Sequence, residues 1–143
     1  MNVRGINHIV LKVRSLEESD RFYREIVGLE LLTRRGRMAF YSAGAHTHDL
    51  ALLEIGDVPQ PLTCSTGLYH FCFDVESEEH LRQLHRRLRS FGVAVSGGVD
   101  HNIMHSFYVA DPDGNTVEFG VDVPQEKWRG GQVWAGDREY QIM

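Results

Sequence analysis

Cysteine is scarce: Cys64 and Cys72 are the only two in 143 residues, a thin basis for a bridge. Long apolar runs are missing too. No stretch approaches the ~20 residues of a membrane-spanning helix, so no membrane partner is expected. Met1 to Val13 lacks the apolar core and cleavage site of a secretory leader, and a cytoplasmic location with reduced thiols is expected. Positive charge is also in short supply. Fifteen Lys and Arg stand against 20 Asp and Glu, for a net charge of -5. Nucleic acid, which calls for a clustered positive patch, is therefore not an expected partner. The two basic runs, Arg34-Arg35-Gly36-Arg37 and His85 to Arg89, read as a solvated turn and a solvated helix face.

What is abundant is histidine, with eight residues. The remaining composition, 42% hydrophobic and 24% charged, is that of one globular domain over residues 1–143. Alternation predicts strands at Ile6–Val13, Leu29–Thr33, Met38–Ala43, Asp49–Ile55, Leu68–Val75, Val93–Val95, Ser106–Ala110 and Thr116–Val121. Helices are predicted from Leu16 to Val27, capped by Ser15, and from Ser77 to about Phe91; Gly28 and Gly92 end them. Asp111-Pro112-Asp113-Gly114 is a strong turn signal before the last strand. The order is βαβββ written twice, as module one (1–56) and module two (67–123), with a tail at 124–143 of no clear periodicity. The tail either caps a pocket or packs on a second chain.

Subtraction tests the repeat. His8 and His70 each stand seven residues before their helix caps, an offset of 62 between copies. Glu54 and Glu118, near the ends of the last strands, are offset by 64. Parity then separates the faces of each strand. Ile9, Leu11 and Val13 oppose His8, Val10 and Lys12; Phe71, Phe73 and Val75 oppose His70, Cys72 and Asp74; Val117, Phe119 and Val121 oppose Thr116, Glu118 and Gly120. The apolar faces suit packing under the helices, and the candidate ligands share the mixed faces. The expected fold class is α+β, two tandem modules whose strands curl into an open eight-stranded barrel around a metal site. Two imidazoles and one carboxylate, His8, His70 and Glu118, leave one side of a metal open for substrates, an arrangement suited to Fe(II).

These residues resemble a known family. His8-Ile-Val-Leu-Lys-Val, Gly67-Leu-Tyr-His70-Phe-Cys-Phe-Asp-Val and Asp111-Pro-Asp-Gly-Asn-Thr-Val-Glu118-Phe are similar to the vicinal oxygen chelate superfamily. It includes glyoxalase I, bleomycin and fosfomycin resistance proteins, and extradiol ring-cleavage dioxygenases. Finer motifs resemble the catechol 2,3-dioxygenase branch: His46-Thr-His48-Asp-Leu-Ala-Leu-Leu-Glu54, Asp100-His101, Ser106-Phe-Tyr108 and Asp122 to Trp128. The resemblance implies Fe(II), with Mn, Zn or Ni as alternatives, held by His8, His70 and Glu118. Its partners would be a small aromatic diol and O2, and the chain would form a homodimer.

Ring opening beside a diol requires proton transfers, a task for histidine near neutral pH. His48 is the expected acid–base group, sharing its parity with Leu50, Leu52 and Glu54. Tyr108, opposite in parity to Phe107 and Val109, is expected to reach the substrate. His101 carries the family's Asp-His context, whereas the parity of His105 turns it away. His80 and His85 fall on the second helix and are expected to be solvated, and Cys72, which shares the parity of His70, either lines the pocket or, as the expected case, is a small buried filler. Two rival readings remain open. With Glu54 as a fourth ligand around Zn or Ni, the chain would be a glyoxalase I-like lyase or isomerase, using Arg14 or Arg34-Arg35 beside glutathione. Without a metal, it would be a drug-binding resistance protein.

Overall fold

In the computed structural model, which describes residues 1–143, Met1–Ser65 and Thr66–Met143 form two compact units. In the first, β1 (Ile9–Val13) runs parallel to β4 (Leu50–Glu54), and β3 (Met38–Ser42) and β2 (Glu30–Arg35) follow antiparallel, in the order β1-β4-β3-β2. Leu11, Val13, Ala39, Tyr41, Leu50 and Leu52 fall on one face, and all are buried. The alternate positions Val10 and Lys12 are exposed. Each buried aliphatic contributes roughly 1.5–3 kcal/mol, so a one-residue slip that turned this set outward would cost most of the unit's stability.

The helical segment covers that face. Ser15 caps α1 (Leu16–Asp20) by accepting from the Glu18 amide, and the chain continues as a π-helix from Arg21 to Val27. The predicted single α-helix is therefore two windings, and the change of pitch accompanies burial of the adjacent Phe22 and Tyr23 together with Ile26. Gly28, at φ +100°, ends it in the left-handed region.

Asp20 ties the helix to the sheet, accepting from Tyr41 Oη (2.8 Å) and Arg24 (2.7 Å). Burial alone would raise its carboxyl, but those hydrogen bonds and the Arg24 charge outweigh it and hold the group below its ordinary 3.8. A depressed folded-state value stabilises above the unfolded value, and the gain is lost as pH falls through the folded one. Asp20→Asn is expected to lower stability by about 1–3 kcal/mol at neutral pH and to flatten the acid limb of the stability curve. Urea denaturation across pH measures both.

The second unit repeats the topology. β5 (Phe71–Asp74) is parallel to β8 (Thr116–Asp122), and β7 (Met104–Ala110) and β6 (Gly98–Asp100) follow antiparallel. α2 (Glu78–Ser90), capped by Ser77, buries Leu81, His85 and Leu88. Phe107, Val117 and Phe119 form the sheet side of this core. Two expectations are corrected here. Val93–Val95 is not a strand: Val95 makes one isolated bridge to Val109, and although the Ser96 amide donates to the Tyr108 carbonyl, the Tyr108 amide goes to the Ser96 side chain and the ladder stops. The strand count is nine and not eight, because β6 stands where Val93–Val95 was expected and the tail adds β9 (Arg138–Tyr140), paired antiparallel with β6. Gly98 permits that pairing, since a Cβ there would lie 2.5 Å from the Tyr140 carbonyl oxygen. No helix is long and apolar enough to cross a membrane.

Candidate active site

A turn sets the register of the second unit. Asp111 Oδ1 accepts the amides of Asp113 and Asn115, both at 2.9 Å, and Gly114 takes φ +84°. The hairpin so closed puts Tyr108 opposite Glu118, and the parallel pairing puts Cys72 on the other side of Glu118. The three side chains form a row on the sheet face turned away from α2.

Glu118 is 4% exposed. Its Oε2 is 3.1 Å from His70 Nε2, and its Oε1 is 3.5 Å from His101 Nε2. The same His101 nitrogen lies 3.0 Å from Tyr108 Oη and 3.1 Å from Ser106 Oγ. Burial first, and then the Glu118 carboxylate, push the Tyr108 phenol well above its ordinary value. The Cys72 thiol is pushed up to about 12 by enclosure of its side chain and by the Glu118 and Asp74 carboxylates. Cys72 is nonetheless exposed as a residue, not the buried filler expected, because it lies on the mixed face.

In the first unit, His8 immediately precedes β1 as His70 precedes β5. His8 Nδ1 is 2.7 Å from Asn7 Oδ1, which leaves Nε2 unengaged. The His48 ring lies 4.2 Å from that of His8, centroid to centroid, with the edge of Phe40 at 5.6 Å. The contact does not come from strand parity. β4 begins at Leu50, so His48 sits in the preceding connection, and Leu50 and Leu52 face the helix.

Glu54 departs from expectation in the same way. Val10 and Cys72 both stand two residues after their histidines; Cys72 pairs with Glu118, whereas Val10 pairs with Ala51. The counterpart of Glu118 is thus Ala51. Glu54, opposite Val13 on the helix face, accepts the Leu16 amide at 2.8 Å and satisfies a donor left open by the first turn of α1. Glu54→Ala is expected to cost about 1–2 kcal/mol of stability and to leave metal content unchanged, read by chemical denaturation and metal analysis.

Within neither unit do three His, Cys, Asp or Glu side chains converge to hold a metal ion. The second unit supplies a pair that fits one. Two ligands at right angles, each about 2.1 Å from one ion, lie about 3 Å apart, which is the His70–Glu118 spacing. A carboxylate so buried also needs a cation beside it.

Parity placed His105 correctly. It lies on the α2 side, 2.9 Å from Glu78 Oε1 and stacked on Tyr140. His80 is exposed as expected, but His85 is 4% exposed, its ring edge-on to Phe107, because the apolar stripe of α2 runs through it. Ser106 and Asp137 were not anticipated beside His101. Ser106 was legible from its shared parity with Tyr108, whereas Asp137 stands in a glycine-rich tail with no pattern to mark it.

Residues 5–119 match the glyoxalase/bleomycin resistance protein/dioxygenase superfamily model. The chain belongs to that superfamily. It is 34% identical to a catechol-2,3-dioxygenase of Bacillus subtilis over 87% of its own length, but spans only 44% of that relative. It is 29% identical to the metallothiol transferase FosB of Lysinibacillus sphaericus over 89% of both chains. The crystal structure of a glyoxalase/dioxygenase from Nostoc punctiforme superposes with a TM-score of 0.74 at 24% identity, covering 86% of this chain and 94% of that one, a likeness of fold alone. Members of the superfamily bind a divalent metal.

Proposed function

We propose that this superfamily member is an Fe(II)-dependent extradiol dioxygenase that opens a catechol-type aromatic diol with O2. The ligands in this reading are His8, His70 and Glu118. The observation that carries it is the buried Glu118 carboxylate flanked by His70 and by the His101–Tyr108 pair, a metal-binding edge with proton-handling groups next to it. Ferrous iron, when bound, would bring the diol and O2 together as ligands and allow electrons to pass between them.

The chain's own residues do the rest. His70 and Glu118 would hold the metal in this reading, with His8, which precedes β1 as His70 precedes β5, as the third ligand. Tyr108 presents a phenol that stays protonated, because burial and Glu118 oppose its ionisation, and its oxygen accepts a hydrogen bond from a bound diol hydroxyl. His101 accepts from or donates to that hydroxyl through Nε2. His48, whose ring lies on His8, takes a proton from the diol and returns it to the cleaved product. Similarity to the Bacillus catechol-2,3-dioxygenase supports the substrate class.

One observation favours a second reading. The match to the metallothiol transferase spans nearly all of both chains, whereas the dioxygenase relative is more than twice as long as the matched segment. The glyoxalase-like reading loses its fourth ligand, since Glu54 is engaged by α1. Metal-loaded protein offered a panel of catechols and, separately, a thiol together with an electrophilic acceptor decides among them. Oxygen uptake with a yellow ring-opened product supports the dioxygenase, and metal-dependent consumption of a thiol without oxygen uptake supports the transferase.

A further inference from the structure

The tail is fastened on both sides of one carboxylate. Asn102, in the left-handed region at φ +76° and 2% exposed, accepts the Arg129 amide and donates to the Gln132 carbonyl. The Arg129 guanidinium bridges the Asp100 carboxylate and the Gly136 carbonyl. Beyond Gly136, β9 pairs with β6, Arg138 lying opposite Asp100. Asp137 is the residue between these two anchors. Its Oδ1 lies 2.8 Å from His101 Nδ1, on the far side of the ring from the nitrogen that meets Tyr108, Ser106 and Glu118.

We propose that Asp137 is a positioning residue that fixes the tautomer and orientation of His101. A carboxylate accepts only, so Nδ1 carries the proton that meets Asp137, and Nε2 is left to accept from its neighbours. The Tyr108 hydroxyl donates to Nε2, and its oxygen lone pairs turn outward from the ring. Without Asp137 the ring is free to rotate or to move its proton to Nε2, which could then no longer accept from Tyr108. The tail thereby becomes part of the site, rather than an extension beyond it. The effect on turnover rests on the ring-cleavage reading; the effect on the imidazole does not.

The test uses the full chain with Asp137→Ala and Asp137→Asn. Nitrogen-15 spectra of metal-free protein should show His101 protonated at Nδ1 in the parent and in Asp137→Asn, which keeps an oxygen acceptor, and at Nε2 or averaged in Asp137→Ala. In the iron-loaded protein, kcat should fall roughly 10–100-fold in Asp137→Ala with iron content and KM little changed, and recover in part in Asp137→Asn. The same His101 tautomer in the parent and in Asp137→Ala would overturn the proposal. A tautomer switch between the parent and Asp137→Ala, in a parent that cleaves no catechol, would count against the dioxygenase reading and leave the positioning role standing.

Discussion

Purified Glu118→Ala protein is expected to contain no iron above background and to have no ring-cleavage activity. The expectation follows from position. Glu118 is the only carboxylate in the cross-strand row with Cys72 and Tyr108, it is almost wholly buried, and its two oxygens divide between His70 and His101. An alanine there leaves two imidazoles facing a void with no charge to complement a cation. A buried carboxylate is costly without a partner, so its removal need not unfold the chain. Glu118→Gln, of the same shape, separates loss of charge from loss of packing and is expected to lose iron as well. Metal analysis beside a thermal melt measures both. Folded Glu118→Ala protein that keeps its iron would remove Glu118 from the ligand set.

The second large effect is expected at His48. His48→Gln should keep iron and lose turnover by roughly 10²–10⁴-fold, the range for removal of a general acid–base group. Its ring rests on His8 without being bonded to Asn7, which already occupies His8 Nδ1. That separation of roles predicts opposite phenotypes for neighbouring rings: His8→Ala loses metal, and His48→Gln loses proton transfer. Near-parental turnover in His48→Gln would make the ring a packing partner of His8 and Phe40 only.

Parity carried much of this site in the sequence. Wherever a strand is regular, as in β7 and β8, alternation placed Tyr108 and Glu118 on one face and His105 on the other. The helix caps Ser15 and Ser77 were legible because a side-chain oxygen before an amphipathic run satisfies open amides. Parity failed where the strand had not begun. His48 lies ahead of β4, and it was expected to face the site through a parity shared with Glu54 that does not apply. Glu54 misled because the offset between the glutamates counts residues and not registers; only the pairing of Val10 with Ala51 shows the slip. His85 was misread because a basic run hides its place on the apolar stripe of α2. Asp137 was invisible, since its contact closes a loop of 36 residues from His101. Long-range pairing of a tail with an edge strand has no local signature.

The most direct test of the account is anaerobic loading of the metal-free protein with Fe(II), followed by oxygen-electrode measurement with catechol. The account predicts one oxygen consumed per ring opened, a yellow product, and no uptake by the Glu118→Ala protein. Iron-loaded parent protein that consumes no oxygen with any catechol, yet turns over a thiol substrate with another divalent metal, would contradict it.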